Sequence, residues 1–112
     1  MSGITGEKGH DLAVESFATL IDVYGFNHCK LIFIGKDFID GTVQKLATEK
    51  GIIEDILFLG FCELKSVHQV MNSTDIFILP SLREGLPTAV IEAMSYAIPV
   101  IASDVGGTSE IL

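Results

Sequence analysis

Apolar positions along the chain follow two alternating periods. Ala13, Phe17, Leu20, Ile21 and Tyr24 recur at helical spacing, which predicts a helix with one buried stripe, and Gly25 supplies a left-handed stop. Leu31 to Gly35, LIFIG, then reads as a buried strand. Val43, Leu46 and Ala47 mark a second helix, with Asp40 as its expected cap and Gly51 as its stop, ahead of a strand over Ile56 to Gly60. Leu64, Val67, Val70 and Met71 predict a third helix that leads into IFILP, Ile76 to Pro80. Pro87 suits the first turn of a fourth helix, where its missing N–H costs nothing, and Ala89, Val90, Ala93 and Met94 continue the stripe. PVIAS, Pro99 to Ser103, supplies the last strand.

Strands that alternate with helices predict an α/β fold with a parallel sheet. The strands lack a polar alternation, so each is expected to be covered by helices on both faces of a doubly wound, Rossmann-like sheet. Connections are short, without a Pro/Ser-rich linker or an internal repeat, and residues 1–112 read as a single domain. The chain opens directly into a helix and closes on GGTSEIL, where Thr108 or Ser109 resembles a cap, so the domain is expected to be cut at both ends.

Composition narrows the function classes. Hydrophobic residues make up 48% of the 112 and charged ones 20%, which excludes a disordered chain. The formal charge of −8, with no Lys/Arg cluster, argues against a nucleic-acid surface or a basic membrane patch. The apolar runs are strand-length, far below the roughly 20 residues that span a bilayer. An N-terminus of MSGITGEKGHDL lacks the apolar region of a signal peptide, so a cytoplasmic address is expected. Cys29 and Cys62 read as free thiols, and His10, His28 and His68 as non-catalytic, with no metal-ligand spacing.

Ligands of open α/β sheets bind at the carboxyl ends of strands, beside helix N-termini. The segment after the third strand, PSLREGLPTAVIEAM, places Glu84 and Glu92, separated by seven residues, on either side of a helix start. First-turn N–H groups at Thr88 and its neighbours are donors that a diphosphate would fit, and each carboxylate can accept hydrogen bonds from vicinal hydroxyls. The competing reading takes the two glutamates as ordinary surface residues around a helix start.

DIFILPSLREGLPTAVIEAMSYAIPVIASDVGGTSEIL, Asp75 to Leu112, resembles the C-terminal nucleotide-sugar-binding domain of GT-B retaining glycosyltransferases of the family 4 type. Asp75, Pro80, Ser81, Glu84, Gly85, Glu92, Ala93, Met94, Pro99, Val100, Gly106 and Gly107 carry the match, and Lys8-Gly9, Gly35 and Leu59-Gly60 extend it across the chain. The resemblance implies the C-terminal half of a GT-B architecture lacking its first and last strands. A central strand ending in Gly-Arg precedes the Lys-Gly helix in relatives, and its absence would leave facing edges, hence marginal stability, self-association or a partner.

By the same resemblance, Lys8 and Glu84 are the catalytic candidates, Lys8 on the donor diphosphate and Glu84 on donor-sugar hydroxyls. Glu92 would bind ribose hydroxyls, main-chain groups of Gly85, Leu86, Pro87 and Thr88 would approach sugar and phosphate, and Phe61 and Cys62 would flank the base. Phe61 also fits a plain edge-of-core aromatic. The Arg that partners the lysine in relatives falls near Gly3 or Ser2, and no Arg precedes Arg83. Ala97 stands where Gly is usual. The implied donor is a UDP- or GDP-sugar, used without a cofactor or metal ion; the acceptor is a glycan, lipid or small molecule. Catalysis would need an N-terminal acceptor domain, so the isolated chain is expected to be inactive, and the full-length enzyme could sit peripherally on a membrane. The alternative is a non-catalytic nucleotide-binding or regulatory module; a Rossmann oxidoreductase is disfavoured because no Gly-x-Gly-x-x-Gly follows a strand.

Overall fold

The computed structural model describes residues 8–26, 28–37, 39–81 and 88–103, Thr88 by its main chain alone. Helices and strands alternate as α1 (His10–Tyr24), β1 (Leu31–Phe33), α2 (Thr42–Glu49), a 3-10 turn (Ile53–Asp55), β2 (Ile56–Phe58), α3 (Leu64–Asn72), β3 (Phe77–Leu79), α4 (Thr88–Ser95) and β4 (Val100–Ala102). The result is a Rossmann-like α/β fold with parallel strands. Strands are shorter than the five-residue runs in the sequence. Gly35 (φ 135°) and Gly60 (φ 67°) leave the extended region at two of the strand ends, and Pro80 and Pro99, which lack an N–H, bound the other two.

Pairing departs from one continuous sheet. β1 pairs with β2, in register Leu31 to Ile56 and Phe33 to Phe58, and β3 pairs with β4, Phe77 to Val100 and Leu79 to Ala102. Among the described residues these remain two separate two-stranded sheets. The core divides in the same way. Val14 and Phe17 of α1, with Val43 and Ala47 of α2, pack on Leu31, Phe33 and Ile56; Val67 and Met71 of α3 pack with Ala93, Ile98, Phe77 and Val100. Side chains of a strand alternate between faces, so each sheet buries one set and exposes the other. The exposed sets include the register pairs Ile32–Leu57 and Ile78–Ile101.

A correction concerns the start of α2. Its cap is Gly41, left-handed at φ 73°, and not Asp40, itself at φ 51°. The carboxylate that orders the preceding loop belongs to Asp37, which accepts from the N–H groups of Ile39 at 2.9 Å and Gly41 at 2.6 Å. An Asx-type turn thereby satisfies the loop before the helix begins. Pro87, expected in the first turn of α4, and Thr108 and Ser109 lie outside the described residues.

The C-termini of α2 and α4 end alike. Gly51 N–H donates to Thr48 O at 3.0 Å and Ile52 N–H to Ala47 O at 3.0 Å; Ala97 N–H donates to Met94 O at 3.0 Å and Ile98 N–H to Ala93 O at 3.2 Å. Both are Schellman motifs, each sealed by contact of a buried isoleucine with a buried alanine. The left-handed position is Gly51 (φ 73°) in one and Ala97 (φ 58°) in the other. A methyl group there costs about 1–2 kcal/mol, offset in part by about 0.4–1 kcal/mol of unfolded-state entropy. Ala97→Gly should therefore stabilise the chain by roughly 0.5–1 kcal/mol and Gly51→Ala destabilise it by a similar amount. Urea midpoints at unchanged slope check both; shifts of the same sign would contradict the shared geometry.

Candidate functional site

The site is assembled around the first residue of α1's cap. Gly9 is left-handed (φ 73°), has no side chain to cap the helix, and accepts the Ala13 N–H at 3.0 Å through its carbonyl. A Cβ built on Gly9 would lie 1.7 Å from the Pro80 carbonyl oxygen and 2.6 Å from its carbon. Backbone thus meets backbone, and only glycine permits it. The contact fixes the N-terminus of α1, with half-buried Lys8 just ahead of it, against the residue that ends β3. His10, the first residue of the helix, is held edge-on by Phe33 of β1, with ring centroids 5.0 Å apart at 67°.

Ser81 follows Pro80 and is 1% exposed, with no hydrogen-bond partner for its hydroxyl. The sequence assigned it no role; a Pro-Ser step after a strand was the only signal, and burial cannot be read from it. Glu84, Gly85, Leu86 and Pro87 lie outside the described residues. α4 then begins at Thr88, and burial of Val90 and Ala93, three residues apart, sets its rotation. Glu92 falls on the opposite, exposed side, one turn along from Thr88. The Ser95 hydroxyl bonds back to the Glu92 carbonyl, so the glutamate's carboxylate takes no part in that contact.

The other wall forms at the end of β2. Gly35 N–H donates to Gly60 O at 2.8 Å and Leu59 N–H to Phe33 O at 3.0 Å, which ties together the ends of β1 and β2. Beyond Gly60 the chain turns, and the two expected base-flanking residues part. Cys62 packs inward on the cluster of Val67, Met71, Ala93 and Ile98, with Sγ 3.7 Å from Gly60 O. Phe61 is 80% exposed, which excludes the edge-of-core role. Cys62 and Ala93 share one cluster, so the Phe61 turn is anchored to α4.

Lys8 therefore stands at the end of β3, Glu92 on the open side of α4, and Phe61 at the end of β2. All three follow from elements that begin or end at the carboxyl side of the strands. An uncapped helix start beside an ammonium group attracts an anion, an exposed carboxylate accepts from hydroxyl pairs, and an exposed ring offers a flat apolar face. Among the described residues no cluster of His, Cys, Asp and Glu is arranged to hold a metal, and no helix is long and apolar enough to cross a membrane.

Gly9→Ala tests the junction. The new methyl meets a main-chain carbonyl that has no rotamer to escape into, on top of left-handed strain. Stability should fall by roughly 2–5 kcal/mol. A loss below that of Gly51→Ala, whose added methyl meets nothing within 4 Å, would contradict the contact.

Comparison with known proteins supports one family. The description "Glycosyl transferases group 1" matches residues 1–112. The chain is 36% identical over 75 residues to the putative glycosyltransferase EpsF of Bacillus subtilis (strain 168), covering 67% of this chain and 19% of EpsF. It is 39% identical over 82 residues to the putative teichuronic acid biosynthesis glycosyltransferase TuaC of the same organism, covering 73% and 19%. Among solved structures, Anabaena HepE in complex with UDP matches with a TM-score of 0.86 at 22% identity, over 100% of this chain and 30% of that one. WaaG, a glycosyltransferase involved in lipopolysaccharide biosynthesis, matches with a TM-score of 0.84 at 24% identity, over 97% and 28%. The chain thus spans about a fifth of the length of these two curated relatives.

Proposed function

The chain belongs to the Glycosyl transferases group 1 family, and from that premise we propose that it holds the nucleotide-sugar donor of a retaining sugar transfer, as the family 4 resemblance implies. The observation that carries this reading is the Gly9–Pro80 contact, which sets Lys8 and the start of α1 at the end of β3. Negative charge develops on the leaving diphosphate as the sugar departs. Lys8 and the N–H groups at the two helix starts stabilise that charge from fixed positions, at no reorganisation cost during the reaction. Glu92 accepts hydrogen bonds from the ribose hydroxyls, Glu84 from hydroxyls of the sugar, and Phe61 lies against the base. The relative HepE was solved with UDP, and with UDP-glucose, which favours a UDP-sugar over a GDP-sugar here.

Transfer also requires an acceptor held in line with the anomeric carbon, a term worth roughly 7–11 kcal/mol of barrier. The described residues supply the donor side, and a facing acceptor surface completes the reaction. A cytoplasmic site fits a soluble nucleotide sugar.

Glu92 provides the test. Loss of its carboxylate removes charge-assisted hydrogen bonds worth about 1.5–3 kcal/mol each. Titrated with UDP by calorimetry, Glu92→Ala should bind weaker by roughly tenfold or more, with Glu92→Gln between it and wild type. Glu49→Ala, at the far end of α2, should bind as wild type does. Equal affinities for the Glu92 and Glu49 variants would make Glu92 a plain surface residue.

A further inference from the structure

The second core cluster forms the seam between α3 and α4. Val67 and Met71 of α3 share it with Ala93 of α4 and with Ile98, and the Tyr96 ring, half-buried just past the end of α4, packs against it. Across the same seam His68 Nδ1 and the Tyr96 hydroxyl hydrogen-bond, with ring centroids 5.8 Å apart at 46°. We propose that His68 and Tyr96 are positioning residues for nucleotide binding: their link fixes the register of α3 against α4, and with it the gap between Phe61 and Glu92, the two residues that hold the nucleoside in the donor reading on which this rests.

Each end of the link sits on an element that reaches that site. α3 starts at Leu64, just after the Phe61 turn, and His68 lies one turn into it. Tyr96 lies one turn past Glu92, where its N–H closes the end of α4 on Ala93 O at 3.1 Å. The base and ribose of a nucleoside are joined directly, so Phe61 and Glu92 must stand at one separation to serve both together.

Apolar packing alone does not set that separation. Burial is non-directional, and the α4 residue buried in this cluster is an alanine, whose single methyl offers no shape to lock a register against Val67 and Met71. A hydrogen bond has a defined length and angle. With His68 exposed, the link stands at the rim of the seam and selects one register from those that burial permits.

UDP affinity of the full chain, measured by calorimetry, tests this. Loss of the link lowers the fraction of molecules in the binding register, and apparent affinity falls with that fraction. Tyr96→Phe, which keeps the ring, and His68→Leu should each weaken UDP binding by roughly threefold to tenfold, the span of one net hydrogen bond. The double variant should bind no more weakly than either. His68→Asn should restore wild-type affinity, because its amide sets a donor or acceptor atom at the place of Nδ1. A link that only stabilised the fold would lower the urea midpoint and leave the affinity of the folded chain unchanged. Three results overturn the role of the link: Tyr96→Phe binding as wild type does, losses that add in the double variant, or His68→Asn binding as weakly as His68→Leu. With wild type binding UDP and Glu92→Ala weakened, they overturn that role alone; no binding of UDP by wild type overturns the donor reading and the role of the link together.

Discussion

The contact of Gly9 with the Pro80 carbonyl is the constraint on which the rest depends. Everything described at the carboxyl side of the strands refers to it: it sets the depth of α1 over β1, the place of Lys8, and the point from which the chain leaves β3 toward α4. No side chain mediates it, so no side-chain adjustment can restore it once the glycine is lost. α1 then packs Ala13, Val14, Phe17 and Ala18 below that pivot, which converts a local backbone approach into the orientation of a 15-residue helix. No Ser, Thr or Asp side chain caps that N-terminus; the residue there is Gly9.

The two half-sheets give the molecule its other character. Ile32 and Leu57 are exposed on one, Ile78 and Ile101 on the other. Burial of apolar area is the main favourable term in folding, so any segment that covers these side chains gains stabilisation from them.

Much of this was legible in the sequence, for physical reasons that differ by element. Helices showed through their stripes: the spacing of Val90 and Ala93 alone puts Glu92 on the outer side of α4. Ala97 stood out only through the resemblance, as an alanine where glycine is usual; its left-handed φ of 58° is what the structure adds. Strand length was not legible: an apolar run such as Leu31 to Gly35 continues past Phe33, the last residue of β1, and ends on a glycine that leaves the extended region. Asp40 is not the cap of α2 because left-handed Gly41 holds that position, and the carboxylate that orders the loop ahead of it is that of Asp37, two and four residues before the N–H groups it serves. Lys8-Gly9 was visible as a pair, but the glycine's role depends on a residue 71 positions away, Pro80.

The central claim is that the starts of α1 and α4 and the Phe61 turn face one ligand together. Amide chemical shifts of the isotopically labelled chain, followed as UDP is added, test it most directly. The account predicts concerted shifts at Gly9 to Leu12, at Thr88 to Glu92 and at Phe61 and Cys62, following one binding curve, while Gly25, Glu49 and Ser73 at the opposite ends stay still. Shifts confined to those opposite ends, or none at saturating UDP, would contradict it.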